Sequence, residues 1–174
     1  MHGYELRKRL NAVLGAFRAL SYGTLYPCLK DLVARGWIQP SQALGGGATG
    51  PATAGSSRAR IVYELTADGK ERLQDLLAEA GPAAWEDESF DVRFAFFART
   101  DAAVRLRILE GRRTRLEERL DNVRAAAGRA RDRMDGYTLA LQQHGLEAAE
   151  REVRWLNELI ETERTGTAEH DHQN

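Results

Sequence analysis

The sequence predicts a mainly α protein with one small β-hairpin, and three observations lead there. Apolar residues recur at helical spacing through most of the 174 residues. Only "WIQPS" (37–41) and "RIVYEL" (60–65) have the β-branched and aromatic enrichment of strands. The stretch "AGPAAWEDE" (80–88) interrupts both patterns, and beyond it the chain is helical almost without relief. The expected organisation is a first domain over 1–80, a helical domain over 86–165 and a disordered tail over 166–174.

In the first domain, "GYELRKRLNAVL" places Leu6, Leu10, Val13 and Leu14 on one helical stripe. Gly15 and "AFRALS" break it. A second stripe follows in "GTLYPCLKDLVARGWI" (Gly23 to Ile38), where Leu25, Cys28, Leu29 and Leu32 stand at i, i+3, i+4 and i+7. On that spacing Cys28 is expected to be a small core residue. Gly36 should end the helix, because glycine takes the left-handed cap conformation cheaply. Pro27 leaves two starts open: near Thr24, or at a Ser21 cap with the first turn loosened. Two helices joined by a short turn make a helix-turn-helix.

The two strand-like stretches then flank "QALGGGATGPATAGSSRA" (42–59), a Gly/Ala/Ser/Thr tract that cannot form a core and should be mobile. A hairpin with such a tip, directly after a helix-turn-helix, is a wing. "LTADGKERLQDLLAE" supplies a further helix, with Thr66 as N-cap and Leu73, Leu76 and Leu77 inward.

The second domain should open with a short aromatic helix from about Phe90 to Ala98. Asp101 then caps a long helix to roughly Arg131, with Leu109, Leu116, Leu120, Val123 and Ala127 along its seam. In the last helix Leu146, Ala149, Val153, Leu156 and Ile160 alternate in threes and fours, the spacing of a coiled-coil seam. Trp155 and Leu159 widen it. Narrow seams on long helices want a partner, and an identical chain is the simplest, so these five residues are the expected dimer interface.

The charges are balanced overall, 25 Lys and Arg against 26 Asp and Glu, so bulk charge does not point to nucleic acid. Their distribution does. Residues 1–63 hold eight basic side chains against Glu5 and Asp31, whereas residues 81–174 hold fifteen against nineteen acidic ones. The second helix of the helix-turn-helix also begins with residues that core packing does not ask for. Ser21, Gly23 and Thr24 allow close approach and leave backbone N–H groups for phosphate; Tyr22 and Tyr26 add phenols, and Lys30 a cation. Arg18 in the turn, and Arg58 and Arg60 at the wing, are further phosphate or minor-groove candidates. Each has a structural reading beside the functional one: Ser21 and Thr24 as helix caps, Tyr26 as partial core, the arginines as solvated charge.

Trp85, Phe90, Phe94, Phe96 and Phe97 gather where the two domains meet, and are expected either to line an apolar effector pocket or to be core. Cys28 is the only cysteine, so no intrachain disulfide or multi-cysteine metal site exists. His170 and His172 in the tail lack a third ligand, and His2 and His144 form no constellation; no metal and no cofactor is expected. No phosphate loop, HExxH or nucleophile elbow is present, so an enzyme is not expected. No run approaches a membrane span and no signal peptide is visible, which suits a cytoplasmic protein.

"HGYEL" (His2 to Leu6), "GTLYPCLKDLVARGWI" and "YELTADG" (Tyr63 to Gly69) stand in the order and spacing of the PadR family, which this chain resembles along nearly its whole length. The resemblance implies a bacterial transcriptional regulator with a winged-helix domain and a helical C-terminal dimerisation domain. It also implies a homodimer on double-stranded DNA at a pseudo-palindromic operator, usually repressing, and often released by a small aromatic or hydrophobic effector. Two departures stand out. The family normally carries a helix before "HGYEL", so Met1 is expected to be an internal methionine of a longer protein, and the wing loop is unusually long and glycine-rich. A rival reading is a helical dimerisation adaptor whose winged helix binds protein instead of DNA.

Overall fold

The computed structural model describes residues 1–15, 21–41, 61–130 and 135–171, with side chains placed except over 127–130 and 167–171. It is mainly helical with one two-stranded hairpin, and it divides into two compact units, Met1–Leu76 and Leu77–Asn174.

The first unit begins with α1 (Gly3–Leu14), in which the Glu5 carboxylate accepts a hydrogen bond from the His2 backbone at 3.5 Å. Helix α2 (Tyr22–Ala34) starts at a Ser21 cap, which resolves the ambiguity that Pro27 created. The Ser21 hydroxyl accepts from the Thr24 N–H at 3.3 Å, and the Ser21 carbonyl takes both Thr24 and Leu25, at 3.3 and 3.1 Å. Pro27 sits inside the helix and has no N–H for the carbonyl of Gly23 four residues back. Helix α2 ends in a Schellman motif. Gly36, at φ 72°, donates to Val33 O, and Trp37 donates to Leu32 O.

Strands β1 (Ile38–Ser41) and β2 (Val62–Leu65) pair antiparallel, with Ile38 opposite Leu65 and Ser41 opposite Val62. Met1 pairs with the free edge of β2. Its ammonium donates to Tyr63 O and its carbonyl accepts from Tyr63 N–H, each at 3.0 Å. Thr66 then joins three elements. Its hydroxyl donates to Gly36 O at 2.6 Å and accepts from Gly69 N–H at 3.0 Å, capping α3 (Ala67–Ala78), while its own N–H reaches Trp37 O. Gly69 lies so close to the Trp37 carbonyl that a Cβ there would stand 1.8 Å from the oxygen. The core is small: Leu25, Leu29 and Ile38, with Leu6, Leu10, Leu32, Val33 and Tyr63 packed around them. Two expected core positions are not in it. Val13 and Cys28 are exposed, because the buried stripe is centred on Leu10–Leu14 in α1 and on Leu25–Leu29 in α2, and both residues fall one step outside it.

The second unit contains α4 (Pro82–Trp85), α5 (Asp87–Phe94), a 3-10 turn (Phe97–Arg99), α6 (Ala102–Ala130) and α7 (Gly136–Asp171). The aromatic helix therefore starts three residues earlier than its phenylalanines suggested, on acidic residues that suit a helix N-terminus. Asp101 caps α6 through the Ala103 N–H at 2.9 Å. The core joins Ala80, Ala84, Phe90, Ile108, Leu109, Leu116, Leu156 and Ile160. No helix among the described residues is long and apolar enough to cross a membrane.

Candidate nucleic-acid interface

Helix α2 presents its front to solvent. Ser21, Tyr22, Gly23, Thr24, Tyr26 and Lys30 are all exposed, while Leu25 and Leu29 on the opposite side are buried. The spacing explains the division. Tyr22, Tyr26 and Lys30 follow one another at i, i+4 and i+8 and share a strip. The Tyr22 and Tyr26 rings lie 6.0 Å apart and nearly parallel along it. The Ser21 cap engages only the Thr24 amide, so the Tyr22 and Gly23 amides have no acceptor within the helix. No acidic residue occupies the first turn, and the positive end of the helix dipole has no carboxylate there.

Gly23 separates fold from function most clearly. A Cβ there would meet only the Ser21 hydroxyl, at an ordinary 3.6 Å, so the chain's own packing does not require glycine at this position. Gly69 is the opposite case, needed by the fold itself. Tyr26 has both roles at once: 42% exposed, its ring also lies over Gly3, whose added Cβ would be 3.3 Å from it. Ser21 and Thr24 cap the helix and stay accessible, their hydroxyl oxygens 3.0 Å apart. Arg18, Arg58, Arg60 and the wing tip lie outside the described residues. Sequence reading missed Arg7, whose guanidinium carbon stands 3.8 Å from the centroid of the Tyr22 ring. Its signal was faint: a position four residues after Gly3, inside a run of three basic residues.

In the second unit the aromatic residues pack on one another. Phe94 lies 4.9 Å from Phe97, 5.9 Å from Phe90 and 5.2 Å from Trp155, and Phe90 is buried. Trp85 covers Gly111 of α6, its ring where a Cβ would fall. Phe90, Phe94 and Phe97 therefore pack on one another and on Trp155 within this unit. A cavity of about 450 Å³ lies between α6 and α7, lined by Leu116, Leu120, Val123, Leu146 and Ala149, with Arg112 and Glu152 at its polar end.

The later part of the coiled-coil seam packs within the chain, while Leu146, Ala149 and Val153 stay half-buried. Leu156 is 0% and Ile160 1% exposed, held against α5 and α6. The spacing of a seam shows that a helix has a partner without saying whose, and here α6 is the partner for Leu156, Ile160 and, in part, Val153. Apolar surface remains at the front of α7, where Tyr137 is 92% and Leu141 72% exposed.

Ion pairs tie the unit together, two of them through one buried arginine. The Arg112 side chain, 8% exposed, donates to Asp87, to Glu152 at 2.8 Å and to Trp85 O at 3.1 Å. Burial disfavours its charge, but the hydrogen bonds to Asp87 and Glu152 outweigh that and raise its pKa. The same hydrogen bond holds the Asp87 carboxyl below the usual carboxylate range. Arg105 joins Glu163 of α7 to the carbonyls of Phe97 and Thr100.

A helix-turn-helix followed by a hairpin and a capped third helix is a winged helix, the architecture of many transcriptional regulators. Residues 1–75 match the model of the family described as Transcriptional regulator PadR-like family. Among solved structures it is similar to Bacillus subtilis PadR in complex with operator DNA (19% identity, covering 94% of this chain and 89% of that one, TM-score 0.40). The same protein in complex with p-coumaric acid gives 19% identity, 94% and 90% coverage and a TM-score of 0.41. A PadR-like transcriptional regulator from Bacillus cereus gives 17% identity, 95% and 91% coverage and a TM-score of 0.45. No curated protein matches the sequence.

Proposed function

We propose that this protein is a sequence-specific DNA-binding regulator of the PadR type, a homodimeric repressor whose hold on a pseudo-palindromic operator responds to a small apolar or aromatic molecule. The observation that carries the reading is the front of α2: an exposed strip of hydroxyl, phenol, glycine and lysine at the positive end of a helix, in a PadR-like unit. In a helix-turn-helix that turn enters the major groove or meets its flanking phosphates. Ser21, Gly23 and Thr24 allow the approach, Tyr22 and Tyr26 offer donors, and Lys30 reaches a phosphate or a guanine edge.

Dimerisation and effector release are the outer parts of the reading. Tyr137 and Leu141 on α7 give a second copy apolar surface to cover. The cavity between α6 and α7, whose volume suits a small organic molecule, joins the aromatic cluster of Trp85, Phe90, Phe94 and Phe97 as a candidate place for an effector.

The test is a titration of the protein against duplex DNA from its own upstream region, at two salt concentrations. A Tyr26→Ala, Lys30→Ala double variant runs alongside. Tight binding that weakens steeply with salt, and is lost in the variant, is expected, since each phosphate contact contributes a salt slope of about −0.9. Salt-insensitive or absent binding would favour the adaptor.

A further inference from the structure

Helices α1 and α2 meet through a ladder that the fold alone does not explain. Gly3 and Arg7 are one helical turn apart on α1, and Tyr22 and Tyr26 one turn apart on α2. Gly3 lies beneath the Tyr26 ring, the two tyrosines stack, and Arg7 lies over Tyr22. One end of this ladder is anchored on a buried glycine. The other ends on a cation over the ring of Tyr22, in the exposed first turn of α2, where the Tyr22 and Gly23 amides have no acceptor within the helix.

Among the described residues the Arg7 cation has no carboxylate partner, and its Nε is buried without a hydrogen-bond partner there. Tyr22 engages only the face of the guanidinium. A stacked guanidinium keeps its in-plane Nη donors, the fork that fits a phosphate. No acidic residue in the first turn of α2 competes for it.

We propose that Arg7 is a phosphate-binding residue, positioned by Tyr22 to grip the DNA backbone beside the groove that the front of α2 enters. The inference rests on the DNA-binding reading and extends it to the first helix of the motif. That helix crosses the backbone in helix-turn-helix complexes, so a phosphate and not a base edge is the expected acceptor. The contact is the same whatever the operator sequence.

The test is fluorescence anisotropy of the full chain on labelled upstream duplex across a range of salt, for wild type, Arg7→Gln and Arg7→Lys. Thermal melting of each variant checks that it is folded. Arg7→Gln should bind about tenfold more weakly near 0.1 M salt, with a salt slope shallower by about one, as loss of one phosphate contact requires. Arg7→Lys should keep the slope of wild type, because the charge remains, and lose affinity less than Arg7→Gln, because only the fork and the stack are gone. Should Arg7→Gln not fold, Arg7→Lys decides: unchanged affinity overturns the proposal. Wild-type binding with an unchanged slope in Arg7→Gln overturns Arg7 and leaves the DNA-binding reading standing. The same holds if Arg7→Lys and Arg7→Gln are equally weak with wild-type slopes, since Arg7 would then act only on the fold. Failure of wild type to bind any duplex overturns both.

Discussion

Gly23 and Gly69 both stand in the motifs that carry the resemblance to the PadR family, yet they answer to different demands. Gly69→Ala forces a Cβ into the Trp37 carbonyl, whereas Gly23→Ala meets open space and one hydroxyl. Gly23→Ala should therefore leave the melting temperature unchanged or slightly higher, alanine being the better helix former by up to about 1 kcal/mol, while weakening binding to DNA. A lower melting temperature would return Gly23 to the fold. Arg112 gives a residue-scale prediction in the second unit. Arg112→Met removes the buried partner that Asp87 and Glu152 share, leaving Asp87 its pair with Arg119, and should cost roughly 1–3 kcal/mol, less than a fully buried pair because Asp87 is exposed and Glu152 partly so. The sign with pH follows from Asp87, whose folded pKa is lowered. Its contribution is complete above the unfolded carboxylate value of about 3.9 and is lost as pH falls through the folded value. Urea unfolding at pH 7 and near pH 3 should thus show the gap between wild type and Arg112→Met narrowing in acid. What the sequence displayed at this scale was residue type. It showed that Ser21, Thr24 and Tyr26 were odd for a core, but not that Tyr26 rests on Gly3. Arg7 stayed hidden because its partner lies on another helix, and spacing along one helix does not reveal a cross-helix stack.

At the scale of elements, the helices, the hairpin and the Gly36 stop were legible because each is written locally, in periodicity and caps. The edges of the buried stripes were not. Val13 and Cys28 have the right spacing and the wrong side, since the width of a stripe is set by what packs opposite it. Likewise the seam of α7 announced burial at Leu156 and Ile160 without naming α6 as its cause. The joint of α2, the hairpin and α3 is the element-scale feature most open to test. Thr66 binds the end of α2 and the start of α3 together, and Gly69 closes onto β1's entry at Trp37. Gly69→Ala should destabilise the chain by about 1–3 kcal/mol, the usual range for overpacking a tight site. Thermal or urea denaturation measures it. A stability within experimental error of wild type would mean that the contact relaxes freely and does not hold the joint.

For the whole molecule, the basic front and acidic rear marked out in the sequence a part that could meet DNA and a part that need not, and the structure divides near the same place, at Leu76 and Leu77. Long-range consequences were harder to see. The aromatic run from Phe90 to Phe97 did not announce that a tryptophan from a distant helix, Trp155, completes its cluster. Nor does any local pattern announce the cavity between α6 and α7, because two helices make it. The proposed homodimer on a two-fold operator makes a prediction at this scale that no single residue makes. Footprinting of the full chain on its own upstream DNA tests it most directly. A homodimer on such an operator should protect two half-sites of related sequence in opposite orientation, their centres one helical turn or a small multiple of it apart, about 10 bp per turn. Protection of one isolated half-site, or none while the folded protein is in excess, would contradict it.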